Sequence, residues 1–226
     1  MNRFVISDIH GNYLKLKQCL KLVSFDYHKD KLICLGDTAD GEDVKDCFDE
    51  LLKIKNLVYI LGNHDNWLLE YFITGKKPPV WLVQGGNKTL HSYPDQVPDK
   101  NHIDLLKNAL LYYIEDDMMF VHGGFNPYQP IEKQGTDILT WDRGLVEFAR
   151  KHETDVEKLL PYKRIFTGHT PTVLEPFCSD KPLFYGHVIM ADTGASFGCC
   201  LSIINIDTLQ VYQSQGYSRN EISWIV

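Results

Sequence analysis

Phe4-Val5-Ile6-Ser7-Asp8-Ile9-His10-Gly11 carries the chain from an apolar run straight into a knot of Asp, His and Gly. The same transition recurs four times: Leu32-Ile33-Cys34-Leu35 meets Gly36-Asp37-Thr38-Ala39-Asp40, and Val58-Tyr59-Ile60-Leu61 meets Gly62-Asn63-His64-Asp65. Met119-Phe120-Val121 meets His122-Gly123-Gly124, and Arg164-Ile165-Phe166-Thr167 meets Gly168-His169-Thr170. Short apolar runs rich in Val, Ile and aromatics read as buried strands, and open α/β sheets gather their chemistry at the carboxyl ends of strands. Five such ends, each furnished with carboxylate, amide or imidazole groups, predict a metal site with ligands enough for two ions.

Between the first knots the period changes from strand to helix. Leu16, Cys19, Leu20 and Val23 follow i, i+3, i+4, i+7 spacing, with Asn12 placed to cap. Val44, Cys47, Phe48, Leu51 and Leu52 form a second helical stripe, and Trp67, Leu68, Tyr71 and Phe72 a third. Three β-loop-α units in series predict parallel pairing with right-handed crossovers. From Gly75 to Asn101 the Gly, Pro and polar content predicts loop and short helix over the site. Leu111 to Ile114 and Met118 to Val121, flanking Glu115-Asp116-Asp117, predict a hairpin. Val188 to Met190, Leu201 to Ile206 and Leu209 to Tyr212 predict closing antiparallel strands. The expected fold class is α/β, two packed mixed β-sheets flanked by helices, in a single domain over residues 1–226.

The 226 residues are 44% hydrophobic and 23% charged, as in a folded globular chain long enough to bury a substantial core. A net charge of −7 without a Lys/Arg-rich block argues against duplex nucleic acid as partner. No apolar run approaches a membrane span, and a strand starting at Arg3 leaves no room for a signal peptide. The six cysteines show no CxxC spacing, which points to a reducing compartment and a cytoplasmic location.

Asp8 and His10 stand two apart, so in an extended segment both side chains face one side and grip one ion. Asp37 has two oxygens and can touch two ions, as a two-metal site about 3.5–4 Å across demands. Asn63, His122 and His169 then complete a second ion. Mixed N/O ligation suits Mn, Fe or Zn better than Ca.

As a set, these five knots resemble the calcineurin-like metallophosphoesterases, and within them the bacterial and phage branch of the phosphoprotein phosphatase family, which also holds the symmetrical diadenosine tetraphosphate hydrolases. Trp81, Gly85-Gly86, Thr89, Ser92-Tyr93, Gln134, Leu139 and Trp141-Asp142-Arg143 extend the resemblance along the chain. It implies a four-layer sandwich, one metal held by Asp8, His10 and Asp37, and another by Asp37, Asn63, His122 and His169. It also implies a water or hydroxide between the ions attacking phosphorus in line, His64 protonating the leaving group and Asp40 orienting His64. Arg143 and Asn63 would bind phosphate. The implied substrate is a phosphoprotein or a small phosphoester or nucleotide.

One position departs from the family pattern. An arginine that clamps phosphate is expected after Asp40, where Gly41-Glu42-Asp43 stands instead, so Lys45, Lys88 or another basic group would have to compensate. Three readings follow: a protein phosphatase-like phosphomonoesterase, a diadenosine tetraphosphate hydrolase or other nucleotide phosphohydrolase, and a catalytically weak metal-binding scaffold. Asp192 is either a partner behind the ligands or a turn residue at a strand end.

Overall fold

The computed structural model describes residues 1–97, 99–152 and 160–216. The three expected units come first: β1 (Arg3–Ile6), α1 (Tyr13–Leu22), β2 (Lys31–Cys34), α2 (Val44–Leu51), β3 (Asn56–Tyr59) and α3 (Asn63–Thr74). Strands β1, β2 and β3 pair in parallel. Further along lie α4 (Pro79–Trp81), α5 (Asn87–Ser92), α6 (Lys100–Lys107), β4 (Tyr112–Glu115), β5 (Met118–Val121), α7 (Thr136–Trp141) and α8 (Gly144–Lys151). The chain then forms β6 (Arg164–Thr167), β7 (Leu183–Tyr185), β8 (Val188–Met190), β9 (Ser202–Asn205) and β10 (Val211–Gln213).

Two mixed sheets result, ordered β10-β9-β1-β2-β3 and β4-β5-β6-β8-β7. Strand alternation explains why they stack. In β1, Phe4 and Ile6 join the cluster beneath α1 to α3, whereas Val5 joins the one between the sheets. In β5, Met119 and Val121 pack toward α7 and α8, whereas Phe120 faces inward. Period-two side chains on strands apolar on both faces give four layers, helix, sheet, sheet, helix. Phe120 and Phe166 are register partners on neighbouring strands, with rings stacked at 5.0 Å in the middle layer.

Several expectations need correction. Val188–Met190 is not simply an antiparallel closing strand, because β8 runs parallel to β6 and antiparallel to β7. The three residues of β7 are too few to show a period. The covering segment holds more helix than expected, since α4 and α5 are joined through a break at Gln84 and Gly85 and α6 follows, with Asp99 accepting from the Asn101 amide at 2.8 Å. Asn12 sits at the start of α1 but does not cap it. Its amide turns back to donate to the Ile9 and His10 carbonyls at 2.7 and 3.0 Å, bracing the first knot. Among the described residues no helix is long and apolar enough to cross a membrane.

Candidate active site

The knots meet at one edge of the sandwich, where backbone bonds sew loop to loop. The Asp8 amide donates to Gly36 O at 3.1 Å, His10 to Asp37 O at 2.9 Å, and Gly168 to His122 O at 2.8 Å. Asp8 and His10 do not lie in the extended segment expected of them. Asp8, His10, Asp37, Asp40 and His169 all have positive φ, at 51°, 47°, 51°, 72° and 61°. Left-handed backbone costs an L-residue about 1 kcal/mol or more, so five such residues store strain that the surrounding bonds must hold. The strain turns the side chains inward at sharp corners. Gly62 is required for a different reason: a Cβ there would overlap Asp37 Oδ1.

Two groups of donor atoms lie within 4.8 Å of one another, Asp8, His10 and Asp37 in one and Asp37, His122 and His169 in the other. Asp37 is common to both. Its Oδ2 stands 3.3 Å from His122 Nε2 and 3.9 Å from His10 Nε2. Asn63 Oδ1 is 3.0 Å from His122 Nε2, while its Nδ2 is buried without a partner. His122 Nδ1 is tied to Leu35 O at 2.7 Å and His10 Nδ1 to Ala39 O at 3.0 Å, which leaves both Nε2 atoms facing Asp37. Such outer bonds fix imidazole orientation in metal sites.

The electrostatics also favour cations here. Burial, then Asp192, drives the Asp8 carboxyl well above its ordinary value, because buried carboxylates crowd together. Burial pushes His10 down to about 4 and His169 down to about 3, toward the neutral form that ligates. Burial opposes charge on Asp37 as well, yet His122, His64 and His10 outweigh it and hold Asp37 well below the usual range. Against burial, Asp37 pushes His122 up to about 10, which marks the place where positive charge is wanted. The donor set therefore fits divalent cations.

His64 sits on the first turn of α3, beside Asn63. Its Nδ1 bonds Asp40 Oδ2, and its backbone amide donates to Asp37 Oδ1 at 3.0 Å. The other Asp40 oxygen accepts from Trp81 Nε1 at 2.6 Å and Thr89 Oγ1 at 3.0 Å, so the covering helices lock the carboxylate that locks the imidazole. Burial lowers the His64 pKa, but Asp37 and the bonded Asp40 outweigh it and push the ring up to about 9, ready to give a proton. The rings of His64, Trp67, Trp141 and His169 form a chain of edge contacts at 5.1, 5.2 and 5.6 Å along one wall.

Sequence reasoning assigned no role to Asp65. Its buried carboxylate accepts from the amides of Asp37, Thr38, Ala39 and Gly62 at 2.8, 3.1, 3.0 and 3.2 Å and from Tyr59 Oη at 3.0 Å. One side chain thus shapes the whole loop that presents Asp37 and Asp40. The available signal was an acidic residue following Asn63-His64 directly after a strand.

Asp8, His10, Asp37, Asp40, Asn63, His64 and His169 border a cleft of about 1000 Å³, which Arg143 also lines, its Nη2 3.4 Å from His169 O. Asp192 lines the cleft too, and its Oδ1 accepts from Gly194 N at 2.9 Å, so it serves as a turn residue while lying near Asp8. Of the proposed compensating cations, Lys88 lines the cleft, whereas Lys45 lies elsewhere and pairs with Asp49 at 2.7 Å.

Residues 1–190 match the calcineurin-like phosphoesterase family. The chain belongs to this family and is a metal-dependent phosphoesterase. It is 24% identical to a symmetrical bis(5'-nucleosyl)-tetraphosphatase of Haemophilus ducreyi, over 95% of this chain and 99% of that protein. It is likewise 24% identical to serine/threonine-protein phosphatase 1 of Salmonella typhimurium, over 90% of this chain and 91% of the relative. A solved chain assigned as a diadenosine tetraphosphatase superimposes with a TM-score of 0.69 at 19% identity, covering 96% of this chain and 94% of that one. This last likeness speaks for the fold alone.

Proposed function

We propose that the protein is a phosphomonoesterase of the phosphoprotein phosphatase type, releasing phosphate from a phosphoprotein or small phosphoester. The observation that carries this reading is the pair His64–Asp40, held beside two donor groups that share Asp37. Asp8, His10 and Asp37 would hold one divalent cation and Asp37, Asn63, His122 and His169 the other, with Mn, Fe or Zn suited to the donors. When bound, the cations supply neutralisation of the phosphoryl oxygens and activation of the attacking water.

The chain's own groups do the rest. Arg143 offers a planar fork to phosphoryl oxygens at the cleft wall, and the partnerless Asn63 Nδ2 offers a further donor. His64 delivers a proton to the departing oxygen while Asp40 keeps Nδ1 occupied and Nε2 free for the substrate. Trp81 and Thr89 hold Asp40 against reorientation. The similarity to serine/threonine-protein phosphatase 1 of Salmonella typhimurium lends support, and the six unbridged cysteines support a cytoplasmic setting.

The similarity to the Haemophilus ducreyi tetraphosphatase supports a second reading, hydrolysis of a diadenosine tetraphosphate-like nucleotide. Manganese-loaded protein assayed on a phosphopeptide panel beside diadenosine tetraphosphate ranks the two. A kcat/KM on phosphopeptides above that on the dinucleotide is expected, and a strong preference for the dinucleotide overturns the ordering.

A further inference from the structure

The position after Asp40 has no room for any side chain, because a Cβ on Gly41 would overlap the carbonyl oxygen of His10. A cation cannot be carried there, and the groups next in line are acidic. Glu42 and Asp43 are exposed and border the cleft. Three cations also border it, and two are engaged. Lys15 Nζ donates to the carbonyls of Ala195 and Cys199 at 3.1 and 2.7 Å, and Lys88 Nζ is paired with Glu42 at 3.2 Å. Neither Lys15 nor Arg143 pairs with a carboxylate among the described residues, but Lys15 is held by two short carbonyl bonds, whereas Arg143 makes a single long one, Nη2 to His169 O at 3.4 Å.

Resting on the phosphoesterase reading above, we propose that Glu42 is a specificity-determining residue of the cleft mouth: it engages Lys88 and, beside the exposed Asp43, leaves an acidic rim, so the site selects a single phosphoryl group whose remainder is neutral or cationic, and disfavours one that trails further phosphates. The physical reason is charge balance. A lone phosphoryl dianion is met by Arg143 and the cations in the two donor groups. Each additional phosphate would have to lie near Glu42 and Asp43 with Lys88 already committed, and like charges near one another at a cleft mouth repel across a Debye length of about 8 Å at physiological salt. The preferred substrate is thus a phosphorylated segment flanked by Lys or Arg.

Inhibition by inorganic phosphate and by tripolyphosphate, measured on manganese-loaded protein with p-nitrophenyl phosphate, reads the rim without needing the natural substrate. Replacing Glu42 by Gln is expected to lower the tripolyphosphate Ki relative to the phosphate Ki by roughly two- to fivefold, the range of an exposed ion pair, and Glu42→Lys by more. Lys88→Gln in the Glu42→Gln background should reverse part of the gain, and roughly 0.5 M salt should erase it. In parallel, Glu42→Lys should lower kcat/KM on a Lys/Arg-flanked phosphoserine peptide relative to an Asp/Glu-flanked one. If both ratios stay put in Glu42→Gln and Glu42→Lys at low salt, the inference is overturned. If the wild type hydrolyses no phosphoester at all, the phosphoesterase reading fails instead, and the inhibitor ratio can still be read by equilibrium binding of the two anions.

Discussion

Replacing Asp65 by Asn tests whether one buried carboxylate shapes the loop that presents the shared ligand. The two oxygens divide their work: one accepts from Asp37 N, Gly62 N and Tyr59 Oη, the other from Thr38 N and Ala39 N. Burial and the nearby Asp37 push Asp65 up to about 6, with the Ala39 and Gly62 amides pulling back, so at neutral pH it accepts as a carboxylate. An Asn can keep only one of its two sides as acceptor. The less costly rotamer aims its amino group at the Thr38 and Ala39 amides and orphans both. A buried donor left without a partner costs about 1–3 kcal/mol, so the two together cost about 2–6 kcal/mol. Urea unfolding of Asp65→Asn beside Tyr59→Phe measures this, the second variant losing a single neutral bond worth about 1 kcal/mol. The Asn variant should also bind less metal per chain by elemental analysis, because the loop carrying Asp37 and Asp40 loses its template. A loss of stability no larger than that of Tyr59→Phe, with full metal content, would refute the positioning role.

Four other substitutions probe independent parts of the molecule. His64→Asn should lower kcat on p-nitrophenyl phosphate by about 10²-fold or more, and by more on an alkyl phosphate whose departing oxygen needs the proton, while metal content holds; equal rates in both proteins would favour a non-catalytic scaffold. Glu50, nearly fully buried, receives Lys17 and Lys53 at 2.7 Å each and the Tyr27 hydroxyl; against burial these bonds hold it down at about 2. Its folded value lies below the unfolded one, so its contribution is present above about pH 4.5 and lost as pH falls through about 2; Glu50→Gln should cost about 2 kcal/mol near neutrality, allowing for screening of the exposed lysines, with the difference in melting temperature closing in acid. Phe120→Ala, which removes half of the ring stack between the sheets, should cost about 3–5 kcal/mol in chemical denaturation. Arg3 joins the two sheets at the end away from the cleft, bonding Asp207 and Asp116, and Arg3→Ala should cost about 1 kcal/mol without altering kcat, as a melting curve and an assay together would show.

The layers were largely legible because alternation on strands apolar on both faces leaves only stacked solutions. Phe4, Val5 and Ile6 all read as buried, and a sheet with no polar face must be covered twice. The helices α1 to α3 were legible from their stripes. What escaped were elements too short for a period to appear, β7 with three residues and α7 with six, and the bounds of the short helices α4 and α5 in the covering segment, whose helical path breaks at Gly85. The antiparallel pairing expected of Val188–Met190 is found with β7, while its parallel pairing with β6 was missed, since strand direction depends on partners that the local sequence does not name.

The site shows a sharper division between what residue types reveal and what only three-dimensional packing reveals. Donor chemistry is written in the side chains, so Asp8, His10, Asp37, Asn63, His122 and His169 could be singled out as ligand candidates from their places at strand ends. How they converge is not. An extended Asp8-Ile9-His10 would also have set two side chains on one face, and both residues are instead left-handed, a conformation that local bonding must sustain. For Asp8 and His10 those bonds run to the Gly36 and Asp37 carbonyls, and the loop that supplies them is held in turn from far along the chain, Asp65 reaching back to Asp37, Thr38 and Ala39, and Thr89 and Trp81 reaching back to Asp40. The glycine after Asp40 follows the same logic. In the sequence it is merely a missing arginine, whereas in the fold the His10 carbonyl fills the space a side chain would need, so putting arginine back at Gly41 should disrupt the first knot instead of restoring a phosphate clamp.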